Sequence, residues 1–305
     1  MGECDAGRET MIRRRTTEEM MDLILGVAKA DERIRAVWMS GSRANPDVPK
    51  DEHQDFDVVF QVKDVTPYWD HDDWIESCFG RPALMQKPES MNLVPPDGDG
   101  NFVYLMLFPD GNRIDLCITA APFEESDEPA ILLLDKDSEE DLLPRATGTK
   151  AFWYVKRPTQ KFFSDCCNEF YWCMNNVAKG IARDELSYAM KQFNECVRNM
   201  LVQMLKWYVG AENDFSVSAG KEGKYFKKYL PKELYEQFQR TYSDAEYEHL
   251  WNAVQEMISL FETAAKRVSE RLGFTYKVEE REAIEAYVAR VRQEYILFDH
   301  KENLE

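Results

Sequence analysis

Apolar positions along the first half of the chain switch between two periods. Behind Thr16 and Glu19, spaced as a capping box, Met20, Met21, Leu23, Ile24, Val27 and Ala28 recur at helical spacing and predict a helix to about Ala30. Ile34 to Met39 then reads as a strand ending at Gly41, and Phe56 to Val62 as its partner, with a Pro-containing polar loop between. A short helix is expected within Asp72 to Phe79, a strand near Ala83 to Gln86, and a loop over Pro95 to Gly100. Phe102 to Phe108 and Arg113 to Ile118 flank Pro109-Asp110-Gly111-Asn112, a hairpin signal because Asp-Gly supplies the turn geometry. The acid-rich run from Glu124 to Asp141 reads as a solvated loop and the start of a helix.

From about Thr159 the period becomes helical throughout. Phe162, Phe163, Cys166, Phe170, Cys173, Met174 and Val177 mark one apolar face, and Asp184 to Gly210 predicts a second long amphipathic helix. Pro231 to Arg240, Asp244 to Leu272 and Glu279 to Gln293 supply further helices. The expected fold is therefore α+β: a mixed sheet flanked by helices over residues 17–157, then a helical bundle over 158–305, with the boundary at Arg157-Pro158. Residues 1–16, with Arg13, Arg14 and Arg15 but no apolar stretch behind them, read as a disordered leader rather than a secretion signal.

Composition narrows the function. A formal charge of -18 argues against a nucleic-acid backbone as partner and fits cationic small molecules better, with an acidic surface that simply maintains solubility as the alternative. No apolar run approaches the ~18 residues of a membrane span, so a soluble protein without membrane partner is expected. Seven cysteines, two of them adjacent at Cys166 and Cys167, form neither a disulfide framework nor a zinc pattern, which suits reduced thiols in the cytoplasm. The four histidines are scattered and supply no triad.

The chemistry gathers around residues 38 to 60. Asp55 and Asp57 alternate with Phe56 and Val58, so the two carboxylates leave one face of the strand while the apolar side chains leave the other. Side by side, they repel unless a cation lies between them, which makes a divalent metal the first expectation. Gly41-Ser42-Arg43, in the turn after the first strand, is a candidate anion seat. Asp115, between Ile114 and Leu116 on the second hairpin arm, is expected to face solvent, a partner or the same metal, since burying it unpaired costs several kcal/mol. A salt bridge to Arg113 is the structural alternative. Three carboxylates and a Gly-Ser turn are the minimum apparatus for nucleotidyl transfer: Mg²⁺ takes few protein oxygens plus phosphate oxygens, and a third carboxylate serves as ligand or base.

Together, Gly41-Ser42-Arg43, Gln54-Asp55-Phe56-Asp57 and Arg113-Ile114-Asp115-Leu116 resemble the antibiotic branch of the DNA polymerase β-like nucleotidyltransferases. Glu19 to Leu23, Asp31 to Arg35, Asp110 to Leu116 and Asp165 to Phe170 are similar to the aminoglycoside 6-adenylyltransferases, over nearly the whole chain. The resemblance implies Mg²⁺ and ATP, AMP transfer to the 6-hydroxyl of streptomycin, and antibiotic resistance. By matching position, Asp55, Asp57 and Asp115 are the metal-binding and catalytic residues. Gly41, Ser42 and Arg43 are nucleotide-binding candidates, and Lys221 and Lys224 of the helical domain are candidates to reach the triphosphate. Asp165 and Glu169, on one helix face, are candidates for the guanidinium groups of streptomycin, against the alternative of a solvated helix side. Trp153, Tyr154, Tyr171 and Trp172 are candidates for stacking, with core packing as the alternative. A monomer is favoured. Other readings are the same chemistry on another small alcohol, a protein or RNA, and a regulatory nucleotide binder without turnover.

Overall fold

The computed structural model describes residues 12–93, 98–138 and 143–302, with side chains to residue 296. Residues 1–11 of the expected leader, 95–97 of the expected loop and 139–141 of the acidic run lie outside the described residues. Chain contacts divide the protein after Phe152 into two compact units.

The first unit is a seven-stranded mixed sheet with helices. Helix α1 (Thr17–Ala30) starts with the capping box formed by Thr16 and Glu19 and leads into β1 (Ile34–Met39). A four-residue turn of helix, α2 (Gly41–Ala44), precedes β2 (Phe56–Val62), which pairs antiparallel with β1. Helix α3 (Asp72–Phe79) is followed by β3 (Leu84–Gln86), β4 (Phe102–Leu107) and β5 (Arg113–Thr119). The β4–β5 hairpin closes with Gly111 at φ +80°, donating its N–H to the Phe108 carbonyl at 2.9 Å. Strand β5 then lies parallel to β2, the one parallel pairing among the described strands.

The acidic run contains a strand where a loop and helix start were expected. Ala130–Asp135 forms β6 along the free edge of β1, and Arg145–Thr147 forms β7 beside it, giving the order β3-β4-β5-β2-β1-β6-β7. Physically, Ala130 to Leu134 is five consecutive apolar residues beside an unpaired sheet edge, and that pairing outweighs the acids around it.

One face of the sheet is the core. Met20, Ile24 and Ala28 of α1 and Ile75 and Phe79 of α3 pack on Phe56, Val58, Phe60, Ile114, Leu116 and Tyr104, all buried. Because side chains alternate, Asp57 and Asp115 are forced onto the other face. Part of the expected leader belongs to this unit: Arg15 donates Nε to Asp110 at 2.6 Å, and Asn112 donates to the Arg15 carbonyl at 3.1 Å, so Arg15 is fastened to the hairpin turn.

The second unit is helical: α4 (Gln160–Ala182), α5 (Leu186–Lys191), α6 (Arg198–Glu212), α7 (Phe226–Tyr229), α8 (Lys232–Arg240), α9 (Tyr247–Leu272) and α10 (Val278–Glu302). The segment expected as one helix from Asp184 to Gly210 is interrupted by a π-helical turn over Gln192–Val197. Just beyond the turn Arg198 is buried, and its guanidinium donates to the Thr241 hydroxyl at 2.9 Å and the Thr241 carbonyl at 2.8 Å. The core of this unit is a single apolar cluster that includes Phe170, Phe193, Trp207, Trp251 and Phe261.

Candidate active site

Parallel pairing of β2 and β5 sets Asp57 opposite Asp115, and the antiparallel β4 and β3 extend that row through Leu105 to Gln86. A second row on the same face runs from Arg113 through Leu107 to Leu84. The register is fixed by the buried Phe56, Val58, Ile114 and Leu116, since a one-residue slip would put the carboxylates into the core.

Gly41 is held at φ +64°, and its missing side chain is used: a Cβ there would lie 2.0 Å from Asp57 Oδ2. The turn backbone and the Asp57 carboxylate therefore occupy the same small space, with the Ser40 N–H donating to the Asp57 carbonyl at 3.0 Å. Gln54 is buried and donates Nε2 to the Ser42 carbonyl at 3.3 Å, tying the turn to the approach of β2. Arg43 donates to the backbone carbonyls of Asp55 at 2.9 Å and Gln54 at 2.8 Å, and its guanidinium lies 3.7 Å from the Phe56 ring centroid. In this arrangement Arg43 fastens the strand entry.

Arg113 lies among the carboxylates. It forks onto Asp115, with Nε and Nη2 each 2.7 Å from a carboxylate oxygen, and its Nη1 is 3.4 Å from Asp55. Bonding to Asp115 raises the Arg113 pKa. Burial and the charges of Asp115 and Asp55 push Asp57 above its ordinary value, the Arg113 and Arg43 guanidiniums offsetting only part. Burial likewise raises Asp55 against the pull of Arg113. The salt bridge expected as an alternative for Asp115 is thus present, alongside the acidic pair. Among the described residues no three His, Cys, Asp or Glu side chains converge as metal ligands in these rotamers.

The remaining candidates belong to the second unit. Lys221 begins a short 3-10 turn and lines a cavity of about 590 Å³ with Lys156, Lys206, Trp153, Phe162 and Trp207. Lys224 lies outside that lining, its Nζ 5.2 Å from the Tyr225 ring centroid. The basic and aromatic character of this cavity was not anticipated, because Lys156, Lys206 and Lys221 are far apart in sequence. Asp165 and Glu169 are exposed on α4, Asp165 paired with Lys161 at 2.5 Å and Glu169 accepting from the Cys173 thiol at 3.2 Å. Tyr171 is core, its hydroxyl 2.5 Å from that of Tyr276, whereas Trp172 is 68% exposed.

A mixed sheet carrying Asp57 and Asp115 on paired strands beside a Gly-Ser turn is compatible with a nucleotidyltransferase. The sequence model of the streptomycin adenylyltransferase family matches residues 14–291, and the chain belongs to that family. It is 39% identical over 267 residues to an aminoglycoside 6-adenylyltransferase of Bacillus subtilis (strain 168), covering 86% of this chain and 93% of the relative. To one of Campylobacter jejuni it is 38% identical, covering 93% and 99%. A crystal structure of an aminoglycoside 6-adenyltransferase from Bacillus subtilis is similar at 36% identity and TM-score 0.45, covering 91% of this chain and 99% of that one. No helix among the described residues is long and apolar enough to cross a membrane.

Proposed function

We propose that the protein transfers AMP from ATP to a hydroxyl of an aminoglycoside, the 6-hydroxyl of streptomycin, releasing pyrophosphate. The observation that carries this reading is the register pair Asp57 and Asp115 on the open face of the sheet, with Asp57 packed against Gly41. In the reaction the acceptor oxygen bonds to the α-phosphorus as the bond from that phosphorus to the bridging oxygen of pyrophosphate breaks. Pyrophosphate leaves with the electron pair, and the acceptor proton passes to a carboxylate.

Asp115 is metal ligand or base in this scheme, and it is the carboxylate nearer β4 and β3, where a cavity of about 880 Å³ lined by Leu84, Gln86, Leu105, Leu107 and Arg113 can take the acceptor. Gly41 and Ser42 hold a phosphate edge through the turn, while Arg43 shapes the turn from behind. Lys221, from its basic and aromatic cavity, and Lys224 hold the triphosphate. Asp165 and Glu169 receive the guanidinium groups of streptomycin, exchanging Lys161 for the substrate cation.

A magnesium ion suits the donor set. The candidate ligands are carboxylate oxygens, which Mg²⁺ favours, and Asp57, raised first by burial and then by the charges of Asp115 and Asp55, is a carboxylate that a cation would relieve. Asp55, Asp57 and Asp115 would hold it, and it would supply charge neutralisation on the phosphate oxygens. A cytoplasmic location, with its ATP pool and reduced thiols, is part of this reading. Incubation with ATP, Mg²⁺ and streptomycin, followed by mass spectrometry, is expected to show one AMP added to streptomycin. Absence of that adduct over a panel of aminoglycosides would overturn the reading.

A further inference from the structure

Arg113 lies between two of the carboxylates that the proposed function assigns to a metal. Its guanidinium makes two 2.7 Å bonds to Asp115 and approaches Asp55 to 3.4 Å, bridging two of the three carboxylates assigned to the metal. A planar fork on one carboxylate uses the lone pairs that a bound ion would need. The arginine is not locked in place: its side chain is 44% exposed, and it lines the 880 Å³ cavity beside Leu107, which gives the guanidinium somewhere to go. Arg43, the other nearby guanidinium, is committed to backbone carbonyls and stacked on Phe56, so it cannot take over the role.

We propose that Arg113 is a built-in place-holding cation: it neutralises Asp115 and Asp55 in the metal-free protein and must swing toward the cavity before a divalent ion can bind. Metal entry is then a cation exchange. Arg113 offsets the negative charge of Asp115 and Asp55 before substrate arrives, and it weakens binding of metal without nucleotide. It is a positioning residue acting through the carboxylates. The inference rests on the metal reading of Asp55, Asp57 and Asp115.

The test uses the full chain and Mn²⁺ alone, without nucleotide, with free Mn²⁺ followed by electron paramagnetic resonance and melting followed in parallel. Arg113→Met keeps the apolar stem and removes the fork. It is expected to bind Mn²⁺ about tenfold more tightly than the parent, the order expected for removing one contacting charge at a half-exposed site. Its metal-free melting temperature is expected to fall, and the rise in melting temperature on adding Mn²⁺ to exceed that of the parent. Arg113→Lys, a compact charge without the fork, is expected to lie between. The difference should survive about 0.5 M KCl, where the screening length is only about 4–5 Å and a general field effect would be lost. Equal or weaker Mn²⁺ binding by Arg113→Met, with binding in both proteins removed by Asp57→Asn, overturns the place-holder and leaves the metal site standing. No Mn²⁺ binding in either protein, or binding that Asp57→Asn does not touch, overturns the metal reading and the place-holder with it.

Discussion

Asp57 and Asp115 stand opposite one another across two hydrogen-bonded strands whose adjacent residues, Phe56, Val58, Ile114 and Leu116, are buried, whereas Asp165 and Glu169 stand one turn apart on the exposed side of α4. The strand pair cannot turn from the open face without pulling four apolar side chains from the core, so its geometry is fixed before substrate binds. The helix pair is held only by its rotamers and by local partners, Lys161 and Cys173. Fixed geometry suits groups whose displacement by about 1 Å costs ~10²-fold in rate. Adjustable, solvated acids suit recognition of a flexible polycation. Under the proposed function, rate belongs to the sheet and acceptor affinity to the helix, a division that substitutions can break.

Asp57→Asn should have the largest effect. Loss of the central carboxylate is expected to reduce kcat by about 10³-fold or more, in line with removal of a preorganised electrostatic group, while circular dichroism shows the fold retained. The same variant should be the more stable protein. Burial and neighbouring acids raise the folded pKa of Asp57 above its ordinary value. A raised carboxyl favours the fold below its unfolded pKa, and that contribution is lost as pH rises through the folded pKa. The neutral amide of the variant escapes the loss, so its melting temperature should exceed that of the parent above the acid range, by about 1–3 °C for ≲1 kcal/mol. A gap that opens as pH falls would contradict the repulsion.

Gly41→Ala should come next. A methyl group 2.0 Å from Asp57 Oδ2, on a backbone at φ +64°, forces either the turn or the carboxylate to move. The expected cost is about 1–3 kcal/mol of stability and roughly 10²-fold in kcat, read by melting and by initial rates. An active Gly41→Ala enzyme would mean that the close packing of turn and carboxylate is not required. Lys221→Ala is expected to raise KM for ATP by roughly five- to tenfold, the scale of one charged hydrogen bond, with less effect on kcat.

The parts legible in the sequence are those where one physical rule acted alone. Ile34–Met39, Phe56–Val62 and the hairpin around Asp110-Gly111 form as expected because apolar pattern and turn residues agree. Strand β6 was hidden because its edge pairing with β1 is long-range, while the acids on either side argued locally for a loop. The π-helical turn at Gln192–Val197 leaves no mark in the apolar spacing, and the partner of the adjoining Arg198, Thr241, lies more than forty positions away. In the site, Asp57 lies on β2 and Asp115 on β5 as the alternation implied, while Asp55 precedes β2 by one residue. What spacing could not give was the register that sets Asp57 against Asp115, or the fork by which Arg113 spans Asp115 and Asp55.

The smallest effects should come from α4. Asp165→Asn removes an exposed carboxylate whose partner Lys161 is itself 82% exposed, so the pair adds little to stability and the melting temperature should stay within about 1 °C. If Asp165 serves the acceptor, KM for streptomycin should rise by about three- to fivefold while kcat and KM for ATP stay unchanged, since an exposed ion pair is worth ~0.2–1 kcal/mol. Glu169→Gln should behave alike, and the double variant should multiply the two effects, because each acid meets a different part of the cation. A drop in kcat with KM unchanged would move these acids from recognition into the reaction and break the division between helix and sheet. No change in either constant would return this face of α4 to a solvated surface, leaving acceptor selection to the cavity above β3 and β4.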